Sequence, residues 1–346
     1  MTVDGFSSQP GRVNMREVAE RAGVAMSSVS RVLSDHPDVS KDMRKRVMAA
    51  VEELGYEPNL LAQSLRRQQT RTVGFAIGDI SNPLFADIVA AAETRFREAG
   101  YSLLLTNSEG RSELDAAHIG LLAQRRVDGI ILSVSDEHNP AMLHALGRLD
   151  IPVVVLDRNV DVGRSLHVYT DHQAGMRNAV NHLLDLGHRR IAMINGQPMR
   201  PVNERRAALE ACYADRGLER TYQILEGGAL SDVDYGSRAT SQLLSRPDPP
   251  TAIIAGGNQL MLGALRVLHA RGIRLGKQVS FVGCDDIPIS ELYDPPISVV
   301  RRDNLAIGRC AAEMMLDALR DPEYRADMVL PTEFVGRPSC GRAPGS

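Results

Sequence analysis

The sequence predicts a small all-α amino-terminal unit followed by a larger α/β portion of doubly wound character. Three observations carry this expectation. Residues before about position 56 form three short amphipathic stretches bounded by capping residues. From Arg71 onward, short apolar runs alternate with amphipathic stretches, the mark of βαβ units. The chain, at 346 residues, also exceeds one typical domain.

Asn14 opens the first helix. Its side chain can accept from the first free amides, and Glu17 stands three residues on, as a capping box requires. Met15, Val18, Ala19 and Ala22 share one face at helical spacing. Gly23 ends the helix, because a left-handed residue costs glycine little. A second helix is expected from Met26 to Leu33, with Val29, Val32 and Leu33 inward. A third runs from its N-cap Ser40 to Leu54, closed by Gly55. Two short helices joined at Ala22-Gly23-Val24, then a third, have the geometry of a helix-turn-helix. That motif lays its second helix in the major groove of DNA. The same spacing also fits a generic three-helix bundle.

In the larger portion, strands are expected at Val73–Ile77, Tyr101–Leu105, Val127–Leu132, Val153–Leu156, Leu166–Tyr169, Ile191–Ile194, Thr251–Ala255, Val279–Gly283 and Ile297–Val300. Closing strands fall within Met328–Val335. Helices lie between most of them, often ended by glycine, as at Gly100, Gly187, Gly217 and Gly272. The strands suffice for two parallel sheets with helices on both faces. Ligands on such an architecture sit beyond the carboxyl ends of the strands.

Composition narrows the function. Hydrophobic content of 43% and charged content of 24% describe an ordinary globular protein. No apolar run approaches the ~20 residues that cross a bilayer. Residues 1–13 read as a disordered leader rather than a secretory signal. Cys212, Cys284, Cys310 and Cys340 make no CxxC pair and are expected as free thiols. The nine histidines form no HExxH, so no metal is expected. There is no GxGxxG, no GxxxxGK[ST] and no GxSxG, so neither a nucleotide cofactor nor a catalytic constellation is indicated. The net charge of −3 is unevenly spread. Residues 1–71 hold eleven Lys/Arg against nine Asp/Glu, whereas the rest hold 29 against 34. A basic head on an acidic body fits a nucleic-acid partner at one end.

The string from Val18 to Leu33, with Val18-Ala19, Ala22-Gly23-Val24 and Val29-Ser30-Arg31-Val32-Leu33, resembles the headpiece of the lactose/galactose repressor family. The resemblance implies that Met26, Ser27 and Arg31 read bases, with Arg31 suited to a guanine edge. It implies that Ser28, Ser30 and Ser40 face phosphate or cap helices. Position 25, usually Ser in the family, is Ala25 here, and the helix loses a cap there. Tyr56-Glu57-Pro58-Asn59, with Ala62 and Leu65-Arg66, resembles the family's hinge helix. By that resemblance Leu65 is a minor-groove wedge, Asn59 and Ala62 contact the groove, and Arg66 contacts groove or phosphate. The bland alternative is a polar linker. The domain reading is therefore a leader over 1–13, a headpiece over 14–57, a hinge and linker over 58–70, and a core over 71–346 for effector binding and dimerisation.

The same family wording continues in Val73-Gly74-Phe75, Asp79-Ile80-Ser81-Asn82-Pro83, Val127-Asp128-Gly129, Leu186-Gly187-His188, Leu262-Gly263-Ala264, Val282-Gly283-Cys284-Asp285 and Pro295-Pro296-Ile297. It implies an α/β core of the periplasmic-binding-protein type I fold: two doubly wound subdomains crossed three times by the chain, with an effector in the cleft. By position it places Asp79, Ser81, Asn82, Phe85, Arg158, Arg205, Asn258 and Asp285 at the effector. Asp79 and Asn82 could equally be loop caps, and Asp285 an Asx turn.

Two departures bear on the ligand. The family's Asn-Asp pair before the Leu262-Gly263-Ala264 helix is Gly257-Asn258 here, and the usual aromatic platform falls near Ala229-Leu230. Arg158, Arg200 and Arg205 are expected to converge, and guanidinium forks match carboxylate or phosphate. An anionic effector such as a sugar acid or sugar phosphate follows, with a neutral sugar as the alternative. The whole reads as a cytoplasmic, homodimeric repressor on pseudo-palindromic operator DNA. A periplasmic-type sugar-binding protein without a regulatory role, and an enzyme on a doubly wound sheet, are the rival classes.

Overall fold

The computed structural model describes residues 13–33, 36, 38–56, 69–227 and 232–345. The chain divides into two units, Met1–Thr70 and Arg71–Ser346.

In the first unit, α1 spans Met15–Ala22, α2 Met26–Leu33 and α3 Lys41–Leu54. The capping box at α1 is formed. The Asn14 side chain accepts from the amides of Arg16 at 2.9 Å and Glu17 at 3.2 Å, while the Asn14 amide donates to Glu17 Oε2 at 3.0 Å. Gly23 closes α1 at φ 64°, and the Val24 amide reaches back to the Ala19 carbonyl at 3.0 Å. Ser40 caps α3 by accepting from the Met43 amide at 3.3 Å. Val18, Val29 and Val47, one from each helix, are fully buried and meet with Ala19, Ala22, Val32, Ala50 and Tyr56 around them. So small a core leaves little margin beyond these contacts and caps.

The second unit is built on strands β1 Thr72–Ile77, β2 Ser102–Asn107, β3 Gly129–Ser133, β4 Val153–Leu156, β5 Ser165–Asp171, β6 Ile191–Asn195, β7 Gln223–Glu226, β8 Ala252–Ala255, β9 Ser280–Cys284, β10 Ser298–Arg302 and β11 Asp327–Val335. Between them lie α4 Pro83–Glu98, α5 Ser112–Gln124, α6 Pro140–Gly147, α7 His172–Asp185, α8 Arg200–Asp215, α9 Val233–Leu244, α10 Asn258–Ala270, α11 Pro288–Leu292 and α12 Asn304–Arg320. β3, β6, β8 and β9 are buried along their whole length, as parallel strands covered on both faces must be.

The two sheets expected from the sequence are present, β2-β1-β3-β4-β5 and β10-β9-β8-β6-β7, and one strand between them joins both into the order β2-β1-β3-β4-β5-β11-β10-β9-β8-β6-β7. The link is β11. Its first residues, Asp327–Pro331, pair in parallel with β5, and Thr332–Val335 pair antiparallel with β10. Pro331, which has no amide to donate, stands where the strand changes partner. The short strand β7 was not anticipated.

The unit thus has two halves, one around β1–β5 and one around β6–β10. The chain passes from the first to the second between β5 and α7, whose apolar face packs into the second core. It returns between β10 and α12, which packs into the first core against α4. Gly308 seats that pairing, because a Cβ there would collide with the Ile88 carbonyl. β11 runs through both halves.

Candidate functional site

Two sites emerge, one in each unit. In the first, α2 turns Val29 and Val32 inward and leaves the opposite face in solvent. Met26 is 53% exposed, a large apolar side chain with no core to enter. Ser27 and Arg31 are exposed beside it, and Ser28 and Ser30 are half-buried. Ser40 is exposed and serves as the cap of α3. Asn59, Ala62, Leu65 and Arg66 lie outside the described residues, as does the stretch Ala229-Leu230.

In the second unit a cavity of about 270 Å³ opens between the two halves, beyond the carboxyl ends of the strands. Asp79, Asn82, Phe85, Arg158, Arg205, Asn258 and Asp285 all line it. Ser81 does not. Its hydroxyl donates to Asp79 Oδ1 at 2.7 Å and holds that carboxylate in place. The expected convergence of three arginines is corrected. Arg200 stacks on the Tyr169 ring at 3.9 Å and pairs with Glu204 at 2.7 Å, away from the cavity lining. The first turn of α8 aims it sideways, whereas Arg205, on the next turn, faces inward.

The cavity floor is a buried chain of charged and polar groups. Arg302, at the end of β10, donates from Nη1 to Asp157 Oδ2 at 2.8 Å and from Nε to Asp285 Oδ1 at 2.9 Å. Asp157 follows β4 in the first half, and Asp285 follows β9 in the second. Asp157 also accepts from the Thr170 amide at 2.6 Å and the Thr170 hydroxyl at 2.9 Å. His172 Nε2 lies 3.3 Å from Asp157 Oδ2, and its Nδ1 lies 3.3 Å from Arg205 Nη2. A guanidinium only donates, so Nδ1 accepts and the Nε2 hydrogen is given to Asp157. Arg205 donates its Nη1 hydrogen to the Gly256 carbonyl.

These contacts fix the charge states. Burial opposes ionisation of Asp157, but the donors His172, Arg302 and Thr170 outweigh it and hold its carboxyl well below the ordinary range. Burial likewise opposes ionisation of Asp285, and Arg302 and Arg205 override it. His172 is pushed down to about 4, first by burial and then by the Arg205 guanidinium, so the ring is neutral near pH 7. Burial pulls Arg158 below its ordinary value, with Asp157 and Glu137 opposing. Arg158 donates to two backbone carbonyls, those of Val134 at 2.8 Å and Asp157 at 2.9 Å.

Across the mouth, side-chain amides of the second half bond to acceptors of the first. Asn258 donates to Asn82 Oδ1 at 2.7 Å, Gln259 to Asp79 Oδ2 at 2.7 Å, and Gln197 to the Ser135 carbonyl at 2.6 Å. Asp157, His172, Gln197, Gln259 and Arg302 were missed in the sequence. The only signal there for Asp157 and Arg302 is a charged residue directly at the carboxyl end of an apolar run. Among the described residues, no group of three or more His, Cys, Asp or Glu is placed to hold a metal, and no helix is long and apolar enough to cross a membrane.

Comparison with known proteins agrees with this geometry. Residues 14–59 match the model for bacterial regulatory proteins of the lacI family. Residues 70–337 match the model for periplasmic binding proteins and the sugar binding domain of the LacI family. The chain belongs to the LacI family. The HTH-type transcriptional repressor PurR of Aliivibrio fischeri (strain MJ11) is 30% identical over 330 residues, covering 94% of this chain and 97% of that protein. The lac repressor dimer bound to operator and the anti-inducer ONPF superposes with a TM-score of 0.83 at 28% identity, covering 96% of this chain and 100% of that one. A complex of the transcriptional regulator CelR with cellobiose superposes at 0.69 with 31% identity, covering 95% and 100%. This LacI-family chain is a DNA-binding transcription regulator under small-molecule control.

Proposed function

We propose that the chain is a dimeric, cytoplasmic repressor that reads a pseudo-palindromic operator and is switched by a small anionic polyhydroxylated effector of the sugar-acid or sugar-phosphate class. Met26, Ser27 and Arg31 stand on the exposed face of α2 as base readers, while Ser28, Ser30 and Ser40 set register on phosphate. Asn59, Ala62, Leu65 and Arg66 form the minor-groove hinge of the proposal. The two-fold operator follows from a two-fold dimer, such as the lac repressor dimer on its operator. A cytoplasmic place follows from work on DNA.

One observation carries the anionic effector. Arg158 and Arg205 both line the cavity, and among the described residues neither forms an ion pair with a carboxylate. The floor carboxylates Asp157 and Asp285 are taken up by Arg302, Asp79 by Ser81 and Gln259, and Asp232 accepts from the Tyr235 amide, with Glu109 the remaining acidic residue of the lining. The spare hydrogens of two guanidiniums are thus left for an anion. The cavity, at about 270 Å³, lies just below the usual ~300–1,000 Å³ range, which suits a single sugar ring. The rival reading, a neutral sugar, is favoured by the cellobiose held by CelR.

Calorimetric titration with matched pairs decides between them: galacturonate against galactose, and ribose 5-phosphate against ribose. An acid member that binds about tenfold more tightly than its neutral partner, with Arg205→Ala abolishing the difference, is the expected result. Equal binding of both members, or an Arg205→Ala protein that holds the acid as well as the parent does, overturns the anionic reading.

A further inference from the structure

The two aspartates on the cavity floor occupy equivalent places in the two halves. Each follows a buried central strand, β4 or β9, and each has a left-handed backbone, at φ 49° for Asp157 and 71° for Asp285. The Asp157 amide donates to Val168 on β5 at 3.0 Å, and the Asp285 amide donates to Val300 on β10 at 2.9 Å. Each carboxylate is thereby tied to a strand by which the chain crosses between halves. Both point at one side chain, Arg302, whose own exposure is only 11%. Left-handed conformations at non-glycine residues cost energy and persist where the surroundings enforce them. The geometry therefore pins both carboxylates at the floor, whatever the ligand.

We infer that Arg302 sets the charge of the ligand this cavity accepts, by neutralising the paired carboxylates Asp157 and Asp285 that would otherwise face it. The inference rests on the cavity being the effector site, and it names the residue that tunes that site. Asp157, Asp285, Arg158, Arg205 and Arg302 all line the cavity, and His172 beside them is neutral. Together these five charges leave one net positive charge at the floor, with Asp79, Glu109 and Asp232 elsewhere on the lining. Losing Arg302 takes the floor to neutrality with two carboxylates exposed, and amidating Asp285 takes it to two positive charges. Inside a small, poorly solvated cavity one unit charge at a few ångströms changes anion affinity by about tenfold or more. Arg302 is thus a determinant of specificity even for a ligand held mainly by Arg158 and Arg205.

The test uses the full-length protein and three probes that share one ring: galacturonate, galactose and galactosamine. Affinities are measured by calorimetry for wild type, Arg302→Gln, Arg302→Lys and Asp285→Asn, with a melting curve confirming that each variant folds. Arg302→Gln should lower the ratio of acid to amine affinity by about tenfold or more, and Asp285→Asn should raise it. Arg302→Lys keeps the charge and should keep the order of preference. Because the two informative variants move the ratio in opposite directions, either alone tests the inference if the other does not fold. A ratio unchanged in the folded variants overturns it. A wild type that prefers galactose defeats the anionic reading of the effector, yet the shift caused by Arg302→Gln is still read from the same titrations.

Discussion

In residues 13–56 the groups proposed to meet DNA stand together on one exposed face of an eight-residue helix, α2. In the core, the groups that line the cavity come from strand ends and from helices scattered over both halves. The first arrangement is local: once α2 forms, Met26, Ser27 and Arg31 are presented whatever the rest of the chain does. The second exists only after the whole sheet has assembled, because Asp157 and Arg302 are far apart in sequence and meet at 2.8 Å. The difference teaches where each unit is vulnerable. The headpiece can lose its function without losing its fold, whereas in the core several residues that line the cavity, Asn258, Gln259 and Arg302 among them, also bond one half to the other.

The largest expected effect tests whether the two units are energetically separate. Phe281 on β9 is fully buried, and Phe281→Ala should cost the core ~3–5 kcal/mol. Calorimetry should show the core transition moving down while the headpiece transition stays. Concerted movement of both would break the comparison.

The next effect belongs to the core alone. His172 holds its proton with a value of about 4 in the fold, against 6.5 ordinarily. Between those values the unfolded chain binds the proton and the folded chain does not. Stability therefore falls as pH falls from about 6.5 and levels off below about 4, by up to ~3 kcal/mol. Asp157 and Asp285, held low, add a loss in the same direction at still lower pH. Melting curves from pH 7 to 4 should show this slope, and His172→Gln should flatten its upper part. A slope that survives the substitution unchanged assigns it to other groups.

The headpiece effects are smaller. Arg31→Ala should weaken operator binding by ~1–3 kcal/mol and relax base preference, while effector affinity measured by calorimetry stays at the parental value. Uniform weakening across all DNA sequences would instead make Arg31 a phosphate contact. Asn14→Ala removes the cap of α1 and should lower headpiece stability by ~0.5–2 kcal/mol, with no change in the core transition.

The same contrast explains what could be read from the amino acids. Asn14 with Glu17, Gly23, Ser40 and Gly55 act on neighbours within four residues, so all three headpiece helices were legible. The strands were legible as apolar runs, with ends shifted by one or two residues. β7 was not, because Gln223-Ile224-Leu225-Glu226 at the sheet edge is only half-buried and carries no long apolar run. Asp79, Asn82 and Asp285 were placed from motif wording and do line the cavity. Arg200 was misplaced because sequence spacing does not show which way a helix turns its first residues, and Tyr169 and Glu204 capture it. Arg302, Gln197 and Gln259 were invisible because each has a partner across the cleft, Asp157, the Ser135 carbonyl and Asp79.

The strand shared by both halves joins them along a single backbone. With β11 hydrogen-bonded to β5 before Pro331 and to β10 after it, the two halves share one strand. The backbone passes between the halves at Leu330–Thr332 and at the crossings after β5 and β10. Stiffening the short stretch Leu330–Thr332 should therefore mute the response to effector, read as a smaller change in operator affinity when effector is added, without touching any residue that lines the cavity.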